Sequence, residues 1–252
     1  MPIINDELAR NLYNGANPFL SAQLRHLDSN YPHTNIHVKL IDYLMLNYSP
    51  AFFLELGSFV GGSVLMIADS VKRYKLGTGI VCCDPFCGDV NMWDWEKDLP
   101  VCGKDGKPYK FIGLENGIPT IYNRFLANVF FNGHSDIVTP IQINSLTGLR
   151  LIERLFEQQR ISKKPDIIYL DSAHELDETY LELEACWRVL PSKGILFGDD
   201  WGWDSVRSDV VKFSKSVSVD IGGMQEMHQV LNPSTVWENI FLFEGQWLLI
   251  KP

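Results

Sequence analysis

Asp171, Asp199 and Asp200 are the residues whose types and spacing most clearly suggest chemistry. Asp171 ends one short apolar stretch of the chain, and Asp199 and Asp200 follow the next one. If both stretches are parallel strands, their carboxyl ends meet at one edge of a sheet and the carboxylates converge there. Close carboxylates repel one another unless a cation offsets their charge, and hard divalent ions prefer oxygen ligands. We therefore predict a metal site at these three residues, for Mg²⁺ first and for Mn²⁺ or Ca²⁺ as alternatives.

A glycine-rich turn lies earlier in the chain, between an apolar strand and the helix that follows it. Gly57 permits a tight bend, and Gly61 lets the helix begin close to a ligand. The free N–H groups and the positive dipole end of that helix favour an anionic group. Glu55, near the end of the strand, can accept hydrogen bonds from hydroxyl or ammonium donors. The turn therefore suits a ligand that has an anionic end and donor groups, although a purely structural corner uses the same residues.

The order of residues in this turn resembles the first motif of class I S-adenosylmethionine (SAM)-dependent methyltransferases. The resemblance is carried by the stretch Leu54-Glu55-Leu56-Gly57-Ser58-Phe59-Val60-Gly61-Gly62-Ser63. Its spacing, Glu-x-Gly-x-x-x-Gly, differs from the Gly-x-Gly-x-x-Gly of dinucleotide-binding folds. The three aspartates match the acids of the metal-dependent, catechol O-methyltransferase-like branch (methyltransferase family 24 type). The resemblance covers roughly residues 50–205.

The resemblance implies a set of SAM-binding residues after three successive strands. Ser63 would contact the methionyl carboxylate, and Asp84 would accept the ribose hydroxyls. The side chains that end the third strand would hydrogen-bond the adenine edge. The implied cofactor-binding residues are Glu55, Gly57, Ser58, Gly61, Ser63, Asp84, Asn144 and Ser145. Asp84 as a turn residue before Pro85, and a helix N-cap at Ser145, are the structural alternatives.

His174 lies three residues after Asp171, where the family can carry its general base. With Asp171 it forms the predicted catalytic pair. A neutral imidazole there could take the proton of a substrate hydroxyl during methyl transfer. A histidine at a helix N-terminus that contacts solvent or Glu175 is the alternative. The resemblance thus implies a SAM-dependent, metal-assisted O-methyltransferase acting on a small molecule.

The order of predicted elements indicates an α/β fold: a doubly wound, Rossmann-like and mostly parallel sheet of seven strands. Strands are predicted at 51–56, 79–84, 137–143, 166–171, 194–199, 217–221 (or up to 230) and 246–250, the last antiparallel. Helices are predicted at 5–14, 36–47, 61–74, 119–131, 147–160, 177–189 and 204–216. Residues 1–252 are expected to form one domain, with an N-terminal helical layer (1–50). The insertion 86–118 is a lid or an inert surface excursion.

The amino-acid composition limits the classes of binding partner that we expect for this protein. The net charge is −9 and no run of Lys or Arg stands out, which argues against nucleic acid and anionic membranes as partners. The five cysteines and the lack of a secretory leader favour a reduced, cytoplasmic chain. A small-molecule substrate is expected, and homo-oligomerisation stays open.

Two other functions remain open at this point. A nicotinamide-dependent dehydrogenase also uses a strand, a glycine turn and a helix, but the glycine spacing and the aspartates argue against it. A SAM-binding interaction module that has lost its chemistry is disfavoured because the first motif and the carboxylates are intact.

Overall fold

The structure, a computed structural model, describes residues 2–21, 24, 34–94, 109–219, 235–237, 240–243 and 245–252. Its helices are α1 Ile3–Leu12, α2 Pro18–Ser21, α3 Val38–Tyr48, α4 Gly62–Arg73, α5 Val90–Trp93, α6 Tyr109–Ile112, α7 Ile121–Phe131, α8 Ser145–Glu157, α9 Glu178–Val189 and α10 Asp204–Ser216. Its strands are β1 Phe52–Leu56, β2 Gly79–Asp84, β3 Leu114–Glu115, β4 Ile118–Pro119, β5 Val138–Gln142, β6 Ile167–Leu170, β7 Ile195–Gly198, β8 Thr235–Trp237, β9 Ile240–Phe243 and β10 Gln246–Ile250.

The main sheet has eight strands in the order β5-β2-β1-β6-β7-β10-β9-β8. The strands from β5 to β7 are parallel, and β10 joins β7 in the antiparallel direction. The predicted Rossmann-like, mostly parallel fold is confirmed. The sheet has one strand more than predicted because the C-terminal region adds a three-stranded antiparallel end.

The strand expected to begin at Val217 is wrong at its start. Val217 is the C-cap of α10 and Ser218 follows in a turn, because the helix ends there with backbone N–H groups bonded back to its last turn. Residues 220–234, where that strand would have continued, lie outside the described residues.

Helices cover both faces of the parallel strands, which explains why β1 is buried along its whole length. Phe53, Tyr169 and Phe197 pack on one face with residues of α3, α4 and α7. Phe52 and Leu54 pack on the other face with α1, α8, α9 and α10. The predicted N-terminal helical layer is therefore divided, because α1 and α3 lie on opposite faces of the sheet.

The chain order of the strands creates a crevice beside β1. The chain moves outward from β1 through β2 to β5, and then returns to β6 on the other side of β1. Ligands of open α/β sheets bind at the carboxyl ends of the strands that flank such a reversal. The turn after β1 and the carboxylate after β6 are therefore brought to the same place.

The insertion has local structure in its described parts. It begins with the short helix α5, and it ends with α6 and the antiparallel pair β3–β4. Residues 95–108 lie outside the described residues, so its role as a lid stays a prediction. Within the described part of the chain, no helix combines the length and the apolar character needed to cross a membrane.

Candidate active site

A cavity of about 310 Å³ lies at the carboxyl ends of β1, β2, β6 and β7. Its volume is at the lower end of the range for ligand pockets. It is lined by Thr34, Asn35, Gly57, Ser58, Phe59, Gly62, Ser63, Asp84, Pro85, Gly88, Asp89, Met92, Asp171, Ser172, His174, Asp199, Asp200 and Trp203. Most of the predicted cofactor and metal residues therefore share one cavity.

The turn after β1 is held tightly against the end of β6. Gly57 has φ +85° and donates its N–H to the Cys83 carbonyl at 3.0 Å. A Cβ at this position would lie 2.0 Å from the Asp171 carbonyl oxygen. Glycine is therefore required here both for the backbone conformation and for the close approach of Asp171.

The Asp84 carboxylate stabilises the same turn through hydrogen bonds. Its Oδ2 accepts the backbone N–H groups of Ser58 at 2.7 Å and of Phe59 at 2.8 Å, and its Oδ1 accepts the N–H of Phe86. Burial raises the pKa of Asp84, while these hydrogen bonds act in the opposite direction. Asp84 lines the cavity, so its binding of the ribose hydroxyls stays a prediction. The structure adds a second role, since its hydrogen bonds stabilise the turn after β1.

Glu55 is placed differently from the prediction. It lies inside β1 rather than at its end, it is 0% exposed, and it is not among the residues described as lining the cavity. Its carboxyl group accepts a hydrogen bond from the Ser63 hydroxyl, and burial raises its pKa from 4.5 to about 8. Glu55 thus contacts Ser63, which lines the cavity, and direct cofactor binding by Glu55 stays a prediction.

Helix α4 begins at the cavity wall. Gly61 is its N-cap with φ +92°, and a Cβ there would lie 3.2 Å from the Phe125 ring. Gly62 and Ser63, rather than Gly61, line the cavity. The Asn128 amide holds the Val60 carbonyl at 2.7 Å. The free N–H groups of the first helical turn are therefore available to an anionic group beside the cavity.

Asp171, His174 and Asp200 form the potential metal-binding group of the described residues. One ligand atom from each lies within 4.8 Å of the others. His174 Nε2 is 2.6 Å from Asp200 Oδ2 and 3.9 Å from Asp171 Oδ1. The Tyr169 hydroxyl donates to Asp171 Oδ2 at 3.1 Å, which fixes the orientation of that carboxylate.

Asp199 is not a member of this group, although it lines the same cavity. Its Oδ1 accepts a hydrogen bond from Gln246 of β10 at 3.0 Å. Burial, followed by the charge of Asp171, raises the pKa of Asp199 to about 7. The structure thus groups two of the three predicted carboxylates with His174 instead of with Asp199.

The carboxylates control the charge of His174. Burial alone would lower its pKa, but the hydrogen bonds and negative charges of Asp171 and Asp200 raise it to about 10. Without a bound cation, the two carboxylates therefore favour the protonated, imidazolium form of His174. A base role requires a positive charge at the carboxylates to release the proton.

Comparison with known proteins identifies the family. Residues 54–201, more than half of the chain, match the family model described as a methyltransferase domain (methyltransferase family 24). The chain belongs to this class I SAM-dependent methyltransferase family. The dehydrogenase alternative is accordingly not supported. A search of curated protein sequences found no match.

A solved O-methyltransferase structure shows the same fold at low sequence identity. An O-methyltransferase from Bacillus cereus, solved in complex with SAH, is 12% identical with a TM-score of 0.50 over 98% of this chain and 96% of that one. The O-methyltransferase TomG from Streptomyces achromogenes, involved in tomaymycin synthesis and solved with SAM, is 12% identical with a TM-score of 0.47 over 93% and 94% of the two chains.

The residues predicted for adenine lie apart from the cavity of this methyltransferase. Asn144 is the N-cap of α8, and its side chain accepts the Thr147 N–H at 2.9 Å. The helix N-cap expected at Ser145 is therefore one residue earlier. The Ser145 hydroxyl instead donates to Glu182. Neither residue is among the described cavity-lining residues, so the adenine role stays a prediction.

Among the cavity residues of the methyltransferase that were not predicted from the sequence, two lie beside His174. Asp89 caps α5 by accepting the Met92 N–H at 3.1 Å, and its Oδ2 lies 3.8 Å from His174 Nδ1. The Trp203 ring lies against the His174 imidazole, with centroids 5.1 Å apart. An aspartate before a short helix could have indicated a cap at Asp89. The sequence contains no comparable signal for Trp203, because its contact depends on the fold.

Proposed function

We propose that this methyltransferase transfers the methyl group of SAM to a hydroxyl oxygen of a small molecule with the help of a divalent metal ion. One observation carries the proposal. The turn at Gly57 with the start of α4, and the group Asp171, His174 and Asp200, open into one cavity. A cofactor site and a group that can bind metal and move protons therefore lie within reach of one substrate.

The cavity fits the chemical groups of SAM. The N-terminus of α4 favours the anionic methionyl carboxylate, and Ser63 in the first turn of that helix lines the cavity. Asp84 offers carboxylate oxygens that can accept further hydrogen bonds from ribose hydroxyls. When bound, SAM supplies an electrophilic methyl carbon on a sulfonium. The task of the protein is then to hold the acceptor oxygen in line with it.

Asp171 and Asp200 fit a divalent metal ion through their carboxylate oxygens, while the Nε2 lone pair of His174 beside them stays free to accept a proton. Asp199, on the same wall, remains a predicted ligand whose second carboxylate oxygen would have to reach the ion. A metal ion there would supply a positive charge that lowers the pKa of a substrate hydroxyl.

His174 is the proposed proton acceptor. Trp203 and Asp200 fix its ring on the cavity wall, and Asp89 faces its second nitrogen. It must be neutral to act, so we expect it to work only in the metal-loaded protein. The O-methyltransferase from Bacillus cereus, which shares the fold and was solved with SAH, supports oxygen as the acceptor atom.

The cofactor assignment is tested by thermal unfolding with added ligands. SAM and SAH should raise the melting temperature, since ligand at a hundredfold its Kd stabilises by about 2.7 kcal/mol. NADH should leave the melting temperature unchanged. A shift with NADH and none with SAM or SAH would reject the proposal.

The catalytic assignment is tested by SAH formation from SAM with a panel of hydroxyl-containing small molecules and Mg²⁺. Turnover with at least one hydroxyl acceptor is expected, and the methylated atom is identified by NMR of the product. If SAM binds but no acceptor supports SAH formation with any divalent ion, the interaction-module alternative stands.

A further inference from the structure

Helix α9 carries a carboxyl group on its buried face that the proposed chemistry does not use. Glu182 is 4% exposed, and its neighbours Leu183, Ala185 and Cys186 are buried apolar residues. Burial raises the pKa of Glu182. A carboxyl group costs free energy in such a place unless it is hydrogen-bonded. Its hydrogen-bond partners therefore indicate why it is there.

Two serine hydroxyls donate to this carboxyl group. The Ser172 hydroxyl lies 2.8 Å from Oε1 and 2.9 Å from Oε2 of Glu182. The Ser145 hydroxyl donates to Oε1. Glu182 thus accepts hydrogen bonds from two separate segments at the carboxyl edge of the sheet, the start of α8 and the loop after β6.

These segments come from opposite sides of the crevice. Ser145 begins α8, the helix that follows β5 after two intervening residues, and Ser172 lies in the loop after β6. Two strands, β2 and β1, separate β5 from β6, so the strands are roughly 14 Å apart at the usual strand spacing. The Glu182 side chain of α9 therefore links two segments, the start of α8 and the loop after β6, that follow widely separated strands of the sheet.

Ser172 connects the hydrogen-bonded Glu182 carboxyl group to the cavity. It lines the cavity next to Asp171, and a Cβ at Gly57 would lie 2.7 Å from its Cα. A serine hydroxyl has one proton and two acceptor lone pairs. Because that proton points to Glu182, the Ser172 hydroxyl can offer only lone pairs to a ligand in the cavity.

We propose that Glu182 is a positioning residue of the cofactor cavity: it holds the Ser172 hydroxyl as a hydrogen-bond acceptor for N–H or O–H donors of the cofactor. This inference rests on the proposed function, since the cavity must bind SAM. Glu182→Gln tests it with little change of shape. The amide N–H of glutamine would donate to a serine, and that serine would then turn its own proton elsewhere.

The experiment is a double-mutant cycle read by calorimetry with SAH. Glu182→Gln and Ser172→Ala should each weaken SAH binding about 5- to 10-fold. The double variant should bind SAH about as weakly as Ser172→Ala, because Glu182 acts through that hydroxyl. Glu184→Gln is the matched control, since Glu184 is an exposed carboxylate on the same helix. It should bind SAH like the wild type.

The cycle separates positioning from general support of the fold. If Glu182→Gln weakens binding by the same factor with and without the Ser172 hydroxyl, or does not weaken it at all, the proposal is overturned. Should Glu182→Gln fail to fold, Ser172→Ala decides alone, and unchanged SAH affinity overturns the proposal. A wild-type protein that does not bind SAH would instead reject the proposed function itself.

Discussion

The backbone carbonyl of Asp171 occupies the space where the side chain of residue 57 would begin. A Cβ built on Gly57 would lie 2.0 Å from that oxygen and 2.5 Å from its carbon. A hydrogen bond links the same two segments, because the Asp171 N–H donates to the Leu56 carbonyl at 2.9 Å. The turn after β1 and Asp171, the proposed metal ligand, are therefore positioned by direct backbone contact.

Gly57→Ala should strongly destabilise the protein. The substitution places a methyl group against backbone atoms that cannot rotate away, and it puts alanine at φ +85°. We expect a loss of about 4 kcal/mol or more in the free energy of unfolding, measured by urea titration.

Gly77→Ala is the matched control for that substitution. A Cβ on Gly77 meets no atom within 4 Å, so the variant should be as stable as the wild type. Equal stability of the two variants would contradict the packing between Gly57 and Asp171.

Asp84→Ala should lower both the stability of the ligand-free protein and its affinity for SAM. The carboxylate accepts the N–H groups of Ser58 and Phe59, and their loss leaves buried donors unpaired. We expect about 2–4 kcal/mol less stability by urea unfolding. Asp136→Ala, at a 61% exposed aspartate, should have little effect. A fully stable Asp84→Ala protein with weakened SAM binding would reduce Asp84 to the ribose role alone.

Removal of the metal should stop methyl transfer and leave SAM binding intact. EDTA is expected to abolish SAH formation, and Mg²⁺ or Mn²⁺ should restore it. Asp200→Ala should reproduce the EDTA result and lose Mn²⁺ binding in calorimetry, because Asp200 lies in the potential metal-binding group. Asp204→Asn, at a 90% exposed side chain nearby, is the control. Full activity after exhaustive chelation would reject metal assistance.

Glu55 should make the stability of the ligand-free protein depend on pH. Its pKa is raised from 4.5 to about 8, so the folded state favours the protonated carboxyl group. That contribution is complete below about pH 4.5 and is lost as the pH rises to about 8, up to about 5 kcal/mol in total. Glu55→Gln should flatten this slope, measured by urea unfolding at pH 5, 7 and 8.5. An unchanged slope in the variant would mean that Glu55 ionises normally in the folded protein.

The strand and helix pattern was readable from the sequence because it depends on local periodicity. α10 was predicted with its observed limits, and the five parallel strands were predicted within one residue at each end. The antiparallel strand β10 was also predicted with its observed limits, whereas β8 and β9 were not predicted.

Residue types and their order along the chain were likewise enough to predict that the glycine turn and the carboxylates lie at one edge of the sheet. Gly57, Asp84 and Asp171 all line the cavity, because the ends of parallel strands necessarily share an edge. The sequence could not show that the Asp84 carboxylate already accepts hydrogen bonds from backbone N–H groups. Such hydrogen bonds follow from the path of the loop rather than from the identity of the residue.

Which side chains actually meet was decided by the tertiary structure. Successive residues of a strand point to opposite sides, and Asp200 turns the chain with φ +60°. Asp199 therefore bonds to Gln246 of β10, while Asp200 reaches His174. The sequence by itself determined that carboxylates gather at this edge of the sheet. Which of these carboxylates lies close enough to contact His174 depends on the folded positions of strands that are far apart in the chain.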